Sequence, residues 1–275
     1  MGGLVLFGVW VSLISRALLC GFVHAEPLVG DLREGSIFDL AGVQVPEGPV
    51  ELNLDQKLGH FYEDALACLL GGFEQIEVLG RNVQIQSDIH TTLGELDFVL
   101  RRAGENELIH LELAVKFYLA VEKNGEVSYP GPDARGNYQQ KLDRLRSHQL
   151  KLVHRSAEFL PEEFRGKEWR VQQLVHGCLF DHVDSVELAS PEGIHDRCRR
   201  GRWLRFSEVE RCFGSAEIQI IPKPLWPVPI SFLGDFELKR WERSEISRCV
   251  MVRVEGQDIP YFIAPDIYPD VEKVN

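Results

Sequence analysis

One segment of twelve residues, 108–119, alternates so regularly between two sets of side chains that it predicts a long β-strand. Every odd-numbered residue from 109 to 119 is apolar. The even-numbered set is His110, Glu112, Ala114, Lys116 and Tyr118. Because successive side chains of a strand point to opposite faces, one face is expected to be buried, and the other carries the polar groups.

The segments before this strand predict a hairpin and a helix. Residues 93–100 alternate in the same way, and the Gly- and Glu-containing loop 103–107 predicts that the two strands pair. Further upstream, apolar residues recur at three- and four-residue spacing, which predicts a helix that ends near Leu70. Asn53 or Asp55 is the expected cap of this helix.

The rest of the chain adds a second helix and further strands. The pattern predicts a long helix over 138–159, a strand over 171–180 and a hairpin within 249–263. This order of elements favours an α/β core, a mixed sheet flanked by helices, with a C-terminal extension. The expected divisions are an N-terminal helix and irregular segment over 1–50, the core over 51–230 and the extension with its hairpin over 231–275.

Net charge and cysteine content narrow the classes of function. The 275 residues carry a net charge of −12, so contact with nucleic acid through bulk positive charge is not expected, and any phosphate contact must be local. The six cysteines lack the spacing of a zinc site. We expect reduced thiols in a reducing compartment.

The N-terminus allows two interpretations. Residues 4–14 are mostly apolar but too short to span a bilayer comfortably, so no membrane contact is expected. Residues 23–25 resemble a cleavage site, which would make the protein secreted through a signal peptide ending near Ala25. No Lys or Arg precedes the apolar run, and Arg16 interrupts it, which favours a helix packed on the core of a cytoplasmic protein.

The polar faces of the two paired strands are expected to adjoin. That pairing gathers Asp97, Glu112 and Lys116, with Glu95 beside them and Glu63 within reach from the preceding helix. Carboxylates around one point repel each other and stay ionised when a cation lies between them. Hard oxygen ligands select Mg²⁺ or Mn²⁺, and a neighbouring lysine can orient water or stabilise charge on a phosphate. The alternative is an ordinary half-solvated strand in which Glu112 and Lys116 form an ion pair.

The same residues carry a family resemblance. The segments LGELDF (93–98) and HLELAVKFYL (110–119) resemble the PD-(D/E)XK nuclease superfamily, and more closely a bacterial family named domain of unknown function 1853. The similarity to that family covers roughly residues 15–230. It extends to LGHFYE (58–63), to GPD (131–133) with the helix through His148-Gln149-Leu150, and to residues 202–203 and 223–226. Arg16-Ala17-Leu18-Leu19 and Pro27-Leu28 are similar to the start of the family, which implies a folded N-terminus and a cytoplasmic protein.

The resemblance implies a restriction-endonuclease-like core and assigns roles by position. Asp97 matches the metal-binding Asp of the superfamily, and Lys116 matches its catalytic Lys. The superfamily places Glu or Gln two residues before that Lys, where this chain has Ala114. Glu112 lies four residues before it on the same face, so Glu112, or Glu63 in support, is the expected second metal ligand.

Two basic segments are candidates for contact with nucleic acid. Residues 135–155 contain six basic residues and one acidic residue, among them Lys141 and Arg144. Residues 195–205 contain five arginines, among them Arg199, Arg200 and Arg202, with Trp203 expected to be available for stacking. The alternative is a pair of solvated basic faces.

Three hypotheses follow from the sequence. The first is a Mg²⁺- or Mn²⁺-dependent nuclease or phosphodiesterase that acts on nucleic acid through Glu63, Asp97, Glu112 and Lys116. The second is a catalytically inactive module with the same fold that binds nucleic acid or protein, which Ala114 favours. The third is a secreted protein with an ordinary ion-paired strand.

Overall fold

The structure, a computed structural model, describes residues 2–234 and 236–270. Residues 235 and 271–275 of the expected C-terminal extension lie outside the described residues. The described strands are β1 (Ser36–Ile37), β2 (Ile76–Asp88), β3 (Thr91–Arg102), β4 (Leu108–Leu119), β5 (Val121–Lys123), β6 (Glu126–Ser128), β7 (Trp169–His182), β8 (Arg200–Arg205), β9 (Ile218–Ile220), β10 (Val250–Val254) and β11 (Tyr261–Ala264).

Within the described residues, nine of these strands form one mixed sheet. Its order is β2-β3-β4-β7-β8-β11-β10-β9, with β1 paired to β7 off this path. The pairs β2–β3 and β3–β4 are antiparallel, and the pairs β4–β7, β7–β8 and β8–β11 are parallel. The last two pairs, β11–β10 and β10–β9, are antiparallel. A long pairing of β4 with β7, from Leu108 opposite Trp169 to Leu119 opposite Phe180, places β4 inside the sheet.

Helices cover both faces of the sheet. They are α1 (Gly2–His24), α2 (Leu58–Gly71), α3 (Tyr138–Ser147), α4 (Leu152–Arg155) and α5 (Val209–Phe213). The odd-numbered side chains of β4 pack in the main core with α1 and α2. On the opposite face, Leu142 and Leu145 of α3 pack with Tyr118 and Val175. A mixed α/β fold with a large mixed sheet flanked by helices, as expected from the sequence, is confirmed.

Several local predictions are confirmed. The segment 108–119 is β4, residues 93–100 lie within β3, and the loop 103–107 joins them as an antiparallel pair. The C-terminal hairpin is β10 with β11, and both of its strands belong to the main sheet. The division of the chain at residues 50 and 230 stays a prediction.

The predicted cap of α2 is wrong. The helix begins at Leu58 with Lys57 as its N-cap residue, and no side chain caps it. Asn53 instead accepts a hydrogen bond from the backbone N–H of Asp55 at 3.0 Å, which closes a turn before the helix. Such a local bond competes with the capping geometry that the same side chain would otherwise adopt.

The predicted helix over 138–159 is interrupted. Asn137 caps α3, which ends at Ser147, and the backbone of His148 leaves the helical region (φ −124°, ψ −64°) before one 3-10 turn, Gln149–Lys151. Leu150 before α4 packs with the α3 cluster, whereas Leu152 packs in a different cluster against β2 and β3. The break lets apolar residues on either side of it reach two separate hydrophobic clusters.

The N-terminal helix packs against the main core. Ile14, Leu18 and Leu19 of α1 are fully buried, and the ring of Phe22 stacks on Tyr62 of α2 with 4.3 Å between centroids. Burial of apolar side chains of this size stabilises the fold by roughly 1.5–3 kcal/mol each. Among the described residues, no helix combines the length and hydropathy needed to cross a membrane.

Candidate functional site

Asp97 lies where β3 and β4 separate. The pairing of these strands ends at Phe98 opposite Leu111. One residue further, the Asp97 carboxylate accepts a hydrogen bond from the backbone N–H of Leu113 at 2.8 Å, which takes the place of a ladder bond. This contact holds the Asp97 side chain beside the backbone of β4, next to Glu112.

Glu112 is buried in a polar contact network. Its side chain is 2% exposed. One carboxylate oxygen lies 2.7 Å from Nε2 of the fully buried His110, and the other accepts a hydrogen bond from Nε2 of Gln149 at 2.6 Å. These two contacts leave one lone pair of each carboxylate oxygen for a further partner.

The surroundings of Asp97 and Glu112 disfavour the ionisation of both carboxyl groups. Burial, the nearby Glu112 charge and the Glu63 charge raise the pKa of Asp97 to about 8. Burial, with a smaller contribution from the Glu95 charge, raises the pKa of Glu112 to about 8. Within the described part of the chain, neither carboxylate forms a salt bridge with Lys or Arg. The pair therefore lacks the cation that would stabilise its ionised form.

Lys116 lies on the same face of β4, further along the strand. Burial lowers its pKa, and the positive charge of Lys141 lowers it further. It lines a narrow cavity of about 50 Å³ together with Glu112, Lys141 and Gln149. Among the described side chains, Lys116 and Glu112 form no salt bridge with each other. The alternative of a half-solvated, ion-paired strand is therefore wrong, because His110 and Glu112 are buried and Lys116 is unpaired.

Glu63 and Glu95 lie at the rim of the pair. The Glu63 side chain on α2 is 13% exposed and accepts a hydrogen bond from Asn82 Nδ2 at 3.1 Å. Its negative charge contributes to the raised pKa of Asp97, so it lies close enough to act on that carboxyl group. Glu95 is exposed on β3. The structure thus brings Asp97 and Glu112 together and places Glu63 and Glu95 at the edge.

Sequence reasoning missed the contact between Gln149 and Glu112. Ala114 lines the same cavity and brings no polar group to it. Glu112 is oriented from outside the strand instead, by Gln149 from the turn after α3. The family resemblance includes the segment His148-Gln149-Leu150, so the sequence did mark Gln149 as a residue of interest. The predicted continuous helix over 138–159 gave no reason to expect that Gln149 contacts Glu112.

The second basic segment has an internal role. Trp203 is 2% exposed, and its indole N–H donates to the carbonyl of Ala120 at 2.8 Å, so the expectation that Trp203 stacks on bases is wrong. Arg199, Arg200 and Arg202 donate to the carbonyls of Trp226, Ala189 and His182 at 2.8, 2.7 and 3.1 Å. These arginines hold loops together because their donors match main-chain oxygens inside the protein.

Residues of the first basic segment lie at the site. Lys141 and Arg144 are exposed on α3, and Lys141 lines the cavity with Lys116. The positive charge of Arg144 lowers the raised pKa of Glu112. Both side chains are in position to meet an anion that approaches the carboxylates.

A second group of possible metal ligands lies elsewhere in the sheet. Among the described residues, His182, Asp184 and Glu208 form the one group of three such side chains whose ligand atoms lie within 4.8 Å of one another. Arg211 donates to both oxygens of Asp184 at 2.9 and 2.8 Å and to Glu208 at 3.1 Å. This arginine already supplies the positive charge that a metal would bring, and we interpret the group as a salt-bridge network.

Comparison with known proteins gives a family. The family model described as "Domain of unknown function (DUF1853)" matches residues 44–264, so it includes the C-terminal hairpin and does not extend over residues 15–43. No curated protein and no solved structure matches the chain. Because the match covers most of the sequence, from before α2 through β11, the chain belongs to this family of unknown function, DUF1853.

Proposed function

We propose that the protein is a divalent-metal-dependent phosphodiesterase that acts on nucleic acid. One observation carries this proposal. Glu112 is buried and Asp97 lies half-buried beside it, without a cation of their own, and Lys116 lies on the same strand face as Glu112 with a lowered pKa. Glu112 and Lys116 line one cavity, and titratable groups perturbed in this way are typical of functional sites.

The donor set fits Mg²⁺ or Mn²⁺. Asp97 and Glu112 offer hard oxygen atoms, and among the described residues no protein donor contacts Oδ1 of Asp97. A bound ion would restore the ionised form of both carboxylates and would polarise a phosphodiester and its attacking water. Glu63 supports the ion from the rim, either directly or through water.

The residues around the pair have separate tasks in this proposal. His110 and Gln149 fix the orientation of the Glu112 carboxylate, as the outer contacts of metal ligands do. Lys116 holds the attacking water or stabilises negative charge on the phosphate. Its lowered pKa also allows it to act as a proton acceptor.

The architecture agrees with what the superfamily resemblance implies. A helix, three antiparallel strands of the mixed sheet and a second helix follow in the order α2, β2 to β4, and α3. Asp97 and Lys116 lie on the paired strands that match the resembling segments. This order supports a restriction-endonuclease-like core. The described cysteines are all free thiols, which supports a cytoplasmic location.

The test is cleavage of fluorescent DNA and RNA oligonucleotides with Mg²⁺ or Mn²⁺ by the wild type and by Lys116→Ala. We expect turnover by the wild type and a loss of at least about 10²-fold in the variant, because a positioned proton-transfer group contributes roughly 10²–10⁴-fold. The control is Lys151→Ala, an exposed lysine in the turn after α3. Undiminished cleavage by Lys116→Ala would contradict the role of that lysine.

The second candidate is a catalytically inactive module of the same fold. Ala114 favours it, because the chain lacks the side chain that the superfamily places two residues before the lysine. This candidate predicts that oligonucleotides bind and that neither metal produces turnover. Arg199 and Arg200 are unsuitable as probes of such binding, since their side chains hold the fold together.

A further inference from the structure

A wide groove begins at Lys116 and leads away from the carboxylate pair. Its volume is about 840 Å³. The end of β4 and the loop 131–136 line one part of it, and the start of α2 lines another. Residues 220–223, Trp226 and residues 248–251 complete the groove on the side of the C-terminal hairpin. The groove is therefore continuous with the candidate site through Lys116 and Lys141, which line both.

The groove concentrates positive charge in an acidic protein. Its cationic side chains are Lys57, Lys116, Arg135, Lys141, Lys223 and Arg248. Asp133 is the acidic residue among those that line it. Within the described part of the chain, none of the six cations forms a salt bridge, although the whole chain has a net charge of −12. Like charges gathered without partners raise the local potential and attract an anionic occupant.

An aromatic side chain distinguishes among anionic occupants. Trp226 lines the groove, and its indole N–H donates to the carbonyl of Ile221 at 3.0 Å. Its ring packs edge to face with Phe117 and Phe262, with 5.6 and 5.0 Å between centroids, and the ammonium of Lys223 lies over the ring at 5.9 Å from the centroid. A fixed indole among lysines and arginines suits a chain that alternates phosphates with flat bases. An acidic protein segment would use the cations but not the indole.

We propose that this groove binds one strand of nucleic acid, with phosphates against the six cations and a base beside Trp226. The strand then reaches the carboxylate pair at the Lys116 end, and in this respect the inference rests on the proposed function. The contacts are to backbone phosphates and to a base face, so binding is expected to depend strongly on salt and weakly on sequence.

The test measures binding without cleavage. A fluorescein-labelled single-stranded 20-mer is titrated with the protein in EDTA at several salt concentrations, with fluorescence anisotropy as the readout. The variant combines Lys223→Glu with Arg248→Glu, two exposed positions remote from Asp97 in the sequence. The matched control combines Arg33→Glu with Lys167→Glu, which changes the charge equally at exposed positions outside the groove.

The expected result is at least about tenfold weaker binding by the groove variant, with a salt slope lower by about 1.4, since each phosphate contact on a single strand contributes roughly 0.7. The control variant keeps the affinity of the wild type. Equal weakening in both variants would overturn the inference. So would the absence of binding to both DNA and RNA 20-mers, and an acidic protein segment would then be the better occupant.

A separate readout distinguishes this inference from the proposed function. Thermal unfolding of the groove variant with Mn²⁺ reports the carboxylate pair without any nucleic acid. If groove-dependent binding is present but Mn²⁺ does not stabilise the wild type, the groove assignment holds and the metal site fails. If Mn²⁺ stabilises the protein but the groove variant binds like the wild type, the groove assignment fails alone.

Discussion

Asp97 and Glu112 are carboxyl groups whose pKa values, about 8, lie far above their usual values of 3.8 and 4.5. Burial is the main cause at both residues, and the second charge adds to it. Between the ordinary pKa of a carboxyl group and the raised pKa of about 8, the folded protein keeps these two groups protonated, whereas the unfolded chain has released the protons. The stability of the folded protein is therefore greatest below the unfolded pKa and is lost as pH rises through the folded pKa.

This linkage gives a prediction for Asp97→Asn. The variant keeps the shape of the side chain and removes its titration. In metal-free protein, we expect the free energy of unfolding of the variant to exceed that of the wild type by an amount that grows from pH 5 to pH 8.5, on the order of 1 kcal/mol per shifted pKa unit at most. Urea unfolding at several pH values measures it.

Asp143→Asn, at an exposed position on α3, is the control for that experiment. A pH-independent difference between Asp97→Asn and the wild type would show that the Asp97 carboxyl group titrates normally. Asp97 and Glu112 would then not form a desolvated pair of carboxyl groups.

At this scale the sequence predicted which residues share a strand face better than it predicted their contacts. Alternation alone placed Glu112 and Lys116 on one strand face, because the side-chain period of a strand is two. The ion pair that such spacing usually predicts does not form, since burial and the bonds from His110 and Gln149 occupy Glu112. The bond from Gln149 depends on a turn 37 residues away in the sequence, which no local pattern encodes.

At the scale of elements, β7 supports the backbone of β4 at Lys116. Gly177 of β7 lies opposite Lys116 of β4, and its backbone has φ of +145°. A Cβ atom at Gly177 would lie 1.6 Å from the carbonyl oxygen of Lys116. The two strands can therefore approach each other at this point only when residue 177 has no side chain.

The close approach gives a prediction for Gly177→Ala. We expect it to lower the free energy of unfolding by about 3 kcal/mol or more, because a backbone clash adds to the strained φ. Any folded fraction should have reduced turnover, since Lys116 must move. Chemical denaturation and the oligonucleotide assay measure the two effects.

The comparison is Gly125→Ala in the turn between β5 and β6. Gly125 also has positive φ, +81°, but an added Cβ would have nothing within 4 Å. Its expected cost is about 1–2 kcal/mol from conformation alone. Equal costs at the two positions would contradict the argument from the approach of β7 to Lys116.

Elements were predictable where periodicity was strong. The bounds of β4 followed from alternation, because one face of the strand is consistently buried. The β10–β11 hairpin spans 250–264, within one residue of the predicted 249–263. The interruption at His148 did not follow, since apolar residues before and after it continue at helical spacing but pack into different clusters. Tertiary packing overrides local propensity at such places.

At the scale of the whole molecule, charge is distributed unevenly. A chain of net charge −12 places six cations in one groove, and none of them forms a salt bridge with a described residue. The groove adjoins the cavity of Glu112 through Lys116 and Lys141. Composition predicted that any phosphate contact must be local, but the arginine-rich segment 195–205 was the wrong place to seek it. Its side chains hold the loops near β8 together, whereas the groove draws its cations from five separate segments.

The two sides of the sheet have different roles. One side buries α1 and α2 in the main core. The other side carries α3, the cavity and the polar face of β4. A metal that binds only the folded protein would therefore stabilise the whole sheet through β3 and β4, and global unfolding is a suitable readout.

The most direct measurement is thermal unfolding with and without Mn²⁺ for the wild type, Asp97→Asn and Asp184→Asn. A ligand of the folded state at about 100 times its Kd stabilises by roughly 2.7 kcal/mol. We predict a Mn²⁺-dependent rise in Tm for the wild type and for Asp184→Asn, and none for Asp97→Asn. An equal rise in Asp97→Asn, or its loss in Asp184→Asn alone, would contradict a metal site at Asp97 and Glu112.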